Sequence, residues 1–483
     1  MAPLSFIWVY GNLSAYLDSY FRFSCTQDCM DGDSQWILGL CIAMMCPGTL
    51  ITKYVADKVG LKCFGLVSTI VVNACTFAAA WVINLSVAGT AMLLGVVMGL
   101  AQGVGSVVAF QYVSGWAPDK SSLFMATTSG VPTLISMFQN QIVTVIVNPN
   151  NLKTDAMQGS RTYFSQKEVL DRVPIAIIAF GAMTLGFQLI GYLLLAPHAE
   201  PPTDSKLTKT TGKEIEKVTG DDKSFERELQ NLESQGNGYD REGYGSNAAT
   251  NSTLTLESNH KSFAQSTTRN HQENPTSSSQ ELVEKISLKP TEAAKTPVFY
   301  AVFMFGAATM YALLLKSNYY KQFGLLYIQN DQYLTLVGTL IPAVASLSRF
   351  SVGAALNKRF INIKDSLVIS LTVNGVLCAF WYLVPQADSV LYMFFILLLS
   401  IVQSWNYVVL PVASLDIFGP SYFSTNYGLL QFSFFIVGIL SPVVIPPLMN
   451  DLGWFWLFAS ATILCLLTLV LVVIADFNPS KTS

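Results

Sequence analysis

Charge is scarce in this chain. Only 12% of its 483 residues are Asp, Glu, Lys or Arg, about half of the roughly 25% that soluble domains carry. Together with an aromatic share of 12%, that shortage excludes a disordered or fibrous polymer and argues against a soluble enzyme. A basic excess is also missing: 28 Lys and Arg stand against 31 Asp and Glu, so no nucleic-acid partner is expected. Histidine is nearly absent. All three, His198, His260 and His271, lie in one polar stretch, which excludes a histidine metal centre among the apolar segments. No metal or cofactor is expected. There is no phosphate-binding loop and no nucleophile–base pair, so no covalent chemistry is implied and the chain is not expected to be an enzyme. The N-terminus lacks a basic region and a small-residue cleavage site, so no cleavable signal is expected. Six of the eight cysteines sit in apolar runs and read as small hydrophobes. Cys25 and Cys29 lie in the polar FSCTQDCMDGD. A disulfide there requires an oxidising compartment and demanding short-range geometry.

Apolar residues are abundant instead: 51% of the chain, with a mean hydropathy of +0.43. A helix needs about 20 apolar residues to cross the hydrocarbon core. Twelve such runs are predicted, at 3–20, 36–55, 63–84, 87–113, 122–146, 174–196, 297–317, 333–356, 366–385, 389–413, 422–447 and 452–475. The expected fold class is an all-α membrane protein in which twelve helices form two pseudo-symmetric bundles of six. Residues 1–196 and 297–475 form the bundles. The stretch 197–296, rich in Ser, Thr, Asn, Gln, Gly and charge, is read as a disordered cytosolic linker, and 476–483 as a short tail. With the N-terminus in the cytosol, the short inner loops carry 7 basic residues against 3 in the short outer loops, in keeping with the positive-inside bias. The expected place is an integral multi-pass position in a plasma or organelle membrane.

The halves carry a weak repeat. Asp57-Lys58 after the second run and Asn357-Lys358 after the eighth occupy equivalent places. Paired six-helix halves of this kind mark rocker transporters, whose site lies at the repeat interface near the midplane.

At this point the chain resembles the major facilitator superfamily. The turn ADKVGLK at 56–62 is similar to that family's loop between helices 2 and 3, although Lys53 stands where the family usually has Gly. Within the superfamily it looks most like the oxalate/formate antiporter and monocarboxylate transporter group. The residues carrying this are YGNLSAYLDSYFR at 10–22, Gly103, Gly105 and Tyr112, WAPDK at 116–120, RFSVG at 349–353 and NYGLL at 426–430. The first run starts later than the first helix of the family usually does. The resemblance implies alternating access, a small organic anion as cargo, a coupled proton or counter-anion, and a lipid bilayer as surroundings.

An anion held in a low-dielectric slot needs a counter-charge. The ionisable residues well inside the predicted spans are Arg349 and, near the end of the first, Asp18. A charge there costs several kcal/mol unless it faces a cavity or a partner. Arg349 is the expected anion ligand, since its planar fork can pair both carboxylate oxygens. The resemblance assigns the Arg of RFSVG the same role. The competing reading is an arginine that snorkels to the cytosolic face. Two family features are missing: Ala345 stands where monocarboxylate transporters commonly place a proton-coupling Asp, and Phe434 where oxalate transporters place a second cation. One buried cation balances one carboxylate, so a monocarboxylate is favoured, with Lys316 and Lys321 near the seventh run as further cations within reach. Asn12, Tyr16, Gln111, Tyr112, Gln403 and Trp405 are expected to line the site. Asp18 is the candidate for proton coupling, against a structural role beside Arg22. Asp57, Lys58 and Lys62 are the expected inner gate. Gly95, Gly99 and Gly103 form a stripe for close helix packing, and Trp116, Trp454 and Trp456 read as interfacial anchors. Two alternatives remain: a facilitator for a neutral or cationic solute, and a non-transporting membrane scaffold.

Overall fold

A computed structural model describes residues 5–25, 34–116, 120–158, 161–193 and 287–477. Ten runs in them are long and apolar enough to cross a membrane. The last, Phe423–Ile474, holds two helices, and the shorter Ser5–Phe23 packs alongside, so the described residues contain twelve spans. The protein is an integral multi-pass membrane protein of all-α class.

In chain order the first three spans are Ser5–Phe23, Ser34–Val59 and Leu61–Val82. The fourth runs through Val87–Thr90, a π-helical stretch at Ala91–Val97, and Met98–Trp116. Ser121–Val147 and Val173–Leu193 complete the first half. The second half contains Pro297–Leu325, Asp331–Asn357, Ile363–Phe380, a tenth span in two pieces (Ser389–Gln403 and Asn406–Phe418), Phe423–Pro447 and Gly453–Ile474.

Local chemistry fixes the starts. Asn330, Asn362 and Asp388 each accept backbone N–H groups of the turn they precede, at 3.0 Å from Tyr333, 2.8 Å from Asp365 and 2.7 Å from Val390. Each satisfies a donor that would otherwise be orphaned. Pro297 opens the seventh span at a position where its missing N–H costs nothing. Gly419 ends the tenth with φ +84°, a left-handed conformation that a side chain would oppose.

Four features differ from the sequence-based expectation. The seventh span continues to Leu325, eight residues beyond the predicted end at 317. Nothing in KSNYYKQF breaks a helix, and Lys316, Lys321 and Gln322 find partners on neighbouring spans. Lys321, beyond the predicted end, is therefore inside the span together with Lys316. The loop 147–173 carries an antiparallel hairpin, Ala156–Gln158 with Arg161–Tyr163. It is tied to the first span by the Phe164 N–H, which donates to Ser19 Oγ at 3.0 Å. Residues 287–296, assigned above to the linker, are docked: the Leu288 N–H donates to the Phe418 carbonyl at 2.9 Å, and Asn426 Nδ2 donates to the Leu288 carbonyl at 3.1 Å. Trp454 is buried against Tyr319, Phe323 and Phe458 and is not an interfacial anchor. Trp456 is exposed, as an anchor would be. Cys25 is disulfide-bonded. Cys29 lies outside the described residues.

Small residues bring the helices close. A Cβ on Gly99 would sit 2.3 Å from the Cys41 carbonyl oxygen, and one on Gly103 2.1 Å from that of Met45, so the glycine stripe of the fourth span packs directly on the second. The seam between the halves uses the same device. Gly39 of the second span faces Gly438 of the eleventh, and Gly353 of the eighth faces Ser122 and Ala126 of the fifth.

Candidate functional site

Arg349 lies on the eighth span, about 12 Å of helical rise from its end at Asn357. The side chain does not follow the snorkelling path. It is 2% exposed and crosses the seam between the halves. Nη1 donates to the Ser129 carbonyl at 2.5 Å and to Thr133 Oγ1 at 2.6 Å, both on the fifth span. Nε donates to the Ser404 carbonyl at 3.3 Å, at the interruption of the tenth. The guanidinium carbon stands 4.8 Å from the Trp8 ring centroid and 4.6 Å from that of Tyr407. The two rings lie 6.1 Å apart, so one aromatic ring from each half touches the cation. Nη2 has no hydrogen-bond partner. Arg349 makes no ion pair among the described residues.

A second cation shares this place. Lys316 on the seventh span is 1% exposed. Its Nζ donates to Ser400 Oγ at 3.0 Å and stands 5.0 Å from the Trp8 centroid. It too makes no ion pair among the described residues. Taking a charge out of water costs several kcal/mol per ion, and here neutral hydroxyls, carbonyls and ring faces offset only part of that cost.

One turn beyond Trp8 on the first span the chemistry changes. Lys321 Nζ lies 2.6 Å from Asp331 Oδ1, with both side chains fully buried. Oδ2 of the same carboxylate accepts from Tyr16 Oη at 2.6 Å and from Asn148 Nδ2 at 2.8 Å. Lys321 also donates to Asn12 Oδ1 at 2.6 Å, and the Thr144 and Thr335 hydroxyls bond each other at 2.9 Å. Lys321, Asp331 and Thr335 belong to one half; Asn12, Tyr16, Thr144 and Asn148 belong to the other. The network seals that end of the seam. It is the end that the charge bias places outside.

The remaining predicted residues are dispersed. Asn12 and Tyr16 belong to this seal and do not line a slot around Arg349. Trp405 Nε1 donates to Ser348 Oγ at 2.7 Å, beside Arg349 in sequence. Gln403 is buried with its amide unpaired, as is Asn406, and the Tyr407 hydroxyl is also unpaired. Asp18 accepts a hydrogen bond from Gln322. It also feels Arg161 of the hairpin, whose guanidinium stands 5.7 Å from the Tyr319 ring. Burial works against the Arg161 charge, but Tyr319 and Asp18 outweigh it and raise its pKa above the ordinary value. Lys58 is exposed. The side chains of Asp57, Lys62, Gln111, Tyr112 and Trp116 lie outside the described residues.

Sequence reasoning left Trp8 and Asp331 out of the site and gave Lys316 and Lys321 only as cations within reach. For the lysines the signal was the unbroken helical run to Phe323. Asp331 was hidden because the predicted eighth span began two residues after it.

No family model and no curated protein matches the chain. Solved structures do. The proton:xylose symporter XylE bound to 6-bromo-6-deoxy-D-glucose, a major facilitator superfamily protein, aligns with a TM-score of 0.57 at 11% identity, over 97% of this chain and 93% of its own. The chain has the major facilitator fold. XylE from E. coli in a partially occluded inward-open conformation gives 0.53 at 12% identity, over 96% of this chain and 94% of its own. A POT family transporter in complex with 5-aminolevulinic acid gives 0.54 at 12%, over 97% and 95%. In the major facilitator fold the site lies between the two halves near the midplane. Arg349, Lys316, Trp8 and Tyr407 occupy that seam.

Proposed function

We propose that this protein is a secondary transporter of a small organic anion that works by alternating access, with Arg349 as the residue that receives the anion. The observation that carries this reading is the placement of Arg349. A buried guanidinium bonded from both halves, with no carboxylate beside it, attracts an anion and repels a cation. Its free Nη2 leaves part of the fork for a carboxylate oxygen. The two aromatic rings give the ligand shape, and moving one half against the other changes the arginine's contacts with Ser129, Thr133 and Trp8 while Ser404 and Tyr407 travel with it.

The sequence resemblance to the oxalate/formate and monocarboxylate group supports a carboxylate as cargo. Its lean toward a monocarboxylate rested on Arg349 standing alone, and the burial of Lys316 beside the same indole removes that ground. The seal around Lys321 and Asp331 closes the outer end. Asp57, Lys58 and Lys62, by resemblance, close the inner one. Asp18 is tied to Gln322 and Arg161, which supports a structural role over proton coupling.

The test is uptake in proteoliposomes of labelled lactate, pyruvate, formate and malonate. Arg349→Ala is expected to reduce uptake by roughly a hundredfold or more, since a buried charge-assisted bond is lost together with its geometry. Arg349→Lys is expected to recover little, because an ammonium cannot reproduce the fork. Uptake of sugars or amines by the wild type, unchanged in Arg349→Ala, would support the facilitator for neutral or cationic solutes instead.

A further inference from the structure

The two lysines of the seventh span differ in one respect. Lys321 is matched by the protein itself, with Asp331 at 2.6 Å. Lys316, five residues earlier on the same helix and equally buried, is given only the Ser400 hydroxyl and the Trp8 ring among the described residues. A fold that neutralises one buried ammonium and leaves the next unmatched has left room for a charge that arrives from elsewhere.

Lys316 and Arg349 are anchored at the same end of the tenth span's first piece. Lys316 is held by Ser400 and Arg349 by the carbonyl of Ser404. These serines are four residues apart at the end of one helix, about 6 Å of rise. The Trp8 indole lies against both cations, at 5.0 Å and 4.8 Å from its centroid. Gln403 and Asn406, on either side of the interruption, are buried with unused amide groups.

We propose that Lys316, Ser400 and Trp8 form a second anionic subsite beside Arg349, so that the cargo is a small dianion such as a short dicarboxylate. This rests on the reading that Arg349 receives an anion, and it names the class of that anion. Arg349 pairs one carboxylate and Lys316 the other. A monoanion leaves one buried cation unmatched. A neutral solute leaves both.

The experiment compares two labelled probes of similar size that differ by one charge, malonate and its monomethyl ester, in proteoliposomes containing the full chain. The wild type is expected to take up malonate roughly tenfold faster or more than the ester, one lost charge pair being the difference. Lys316→Met is expected to lower that ratio by a similar factor, and Lys316→Arg to keep it. Equal handling of the two probes by the wild type, a preference for the ester, or an unchanged ratio in Lys316→Met overturns the subsite. Uptake of lactate or formate without malonate overturns it too, and leaves Arg349 as a monoanion ligand. Uptake of no anion at all, with Arg349→Ala indistinguishable from the wild type, is the distinct result that sinks the anion reading itself. If Lys316→Met does not reach the membrane, the wild-type ratio decides alone.

Discussion

Replacing Asp331 by asparagine removes one negative charge and almost no volume, so its cost reports electrostatics and not packing. The carboxylate faces Lys321 at 2.6 Å, Tyr16 at 2.6 Å and Asn148 at 2.8 Å, with no side-chain exposure. Hydrogen bonds to a charged group are worth about 1.5–3 kcal/mol, against about 0.5–1.5 for neutral pairs. Demoting the Tyr16 and Asn148 bonds therefore costs about 1 kcal/mol each. The larger loss is the counter-charge of Lys321. Its other partners, Asn12 Oδ1 at 2.6 Å and Tyr16 Oη at 3.1 Å, are neutral and cannot replace it. Removing one partner of a buried pair costs about 3–5 kcal/mol in all. Asp331→Asn should lower the unfolding free energy in detergent, read by denaturant titration, by that amount. Adding Lys321→Met should return about 2 kcal/mol or more, because the orphaned cation is then gone. A single variant within about 0.5 kcal/mol of the wild type, or a double variant whose loss equals the sum of the singles, would refute the argument.

Other consequences follow from the same coordinates. Gly103→Val places a side chain 2.1 Å from a backbone oxygen that cannot retreat, and should destabilise by about 1–3 kcal/mol or prevent folding. Gly186→Ala, with nothing within 4 Å, should stay within about 0.5 kcal/mol in the same denaturant titration. Arg161→Gln removes the cation whose field acts on Asp18 and should lower stability in denaturant titration, with partial recovery in Arg161→Lys. Deleting 205–284 should preserve uptake, because the bonds from Leu288 that dock the second half lie beyond the cut. Loss of function with intact transport would favour the scaffold reading. Arg349→Ala should reach the membrane surface at wild-type abundance while losing uptake, separating its role from folding.

The spans were legible because a bilayer imposes a simple rule. Every backbone polar group must be satisfied within the segment, so about 20 apolar residues in a row read as a helix whatever surrounds them. Arg349 was legible for a related reason: a charge within such a run is expensive, so it is rarely there without a task. The glycine stripe of the fourth span was legible from spacing alone.

What sequence could not decide was who meets whom. Asn12 and Tyr16 share a helix face, as their spacing requires. Whether that face meets a ligand or a lysine depends on a helix more than 300 residues away in the chain. The length of the seventh span was missed for the same reason. A polar run such as KSNYYKQF needs facing groups for its lysines and glutamine, and those come from both halves of the bundle. Trp454 looked like an anchor until three aromatic rings closed around it. Charge neutrality is the clearest case. Sequence fixes how many buried cations and acids exist, but a Coulomb interaction depends on distance. Only the packed bundle determined that Asp331 answers Lys321, and that Arg349 and Lys316 stand together at one indole without an answering carboxylate.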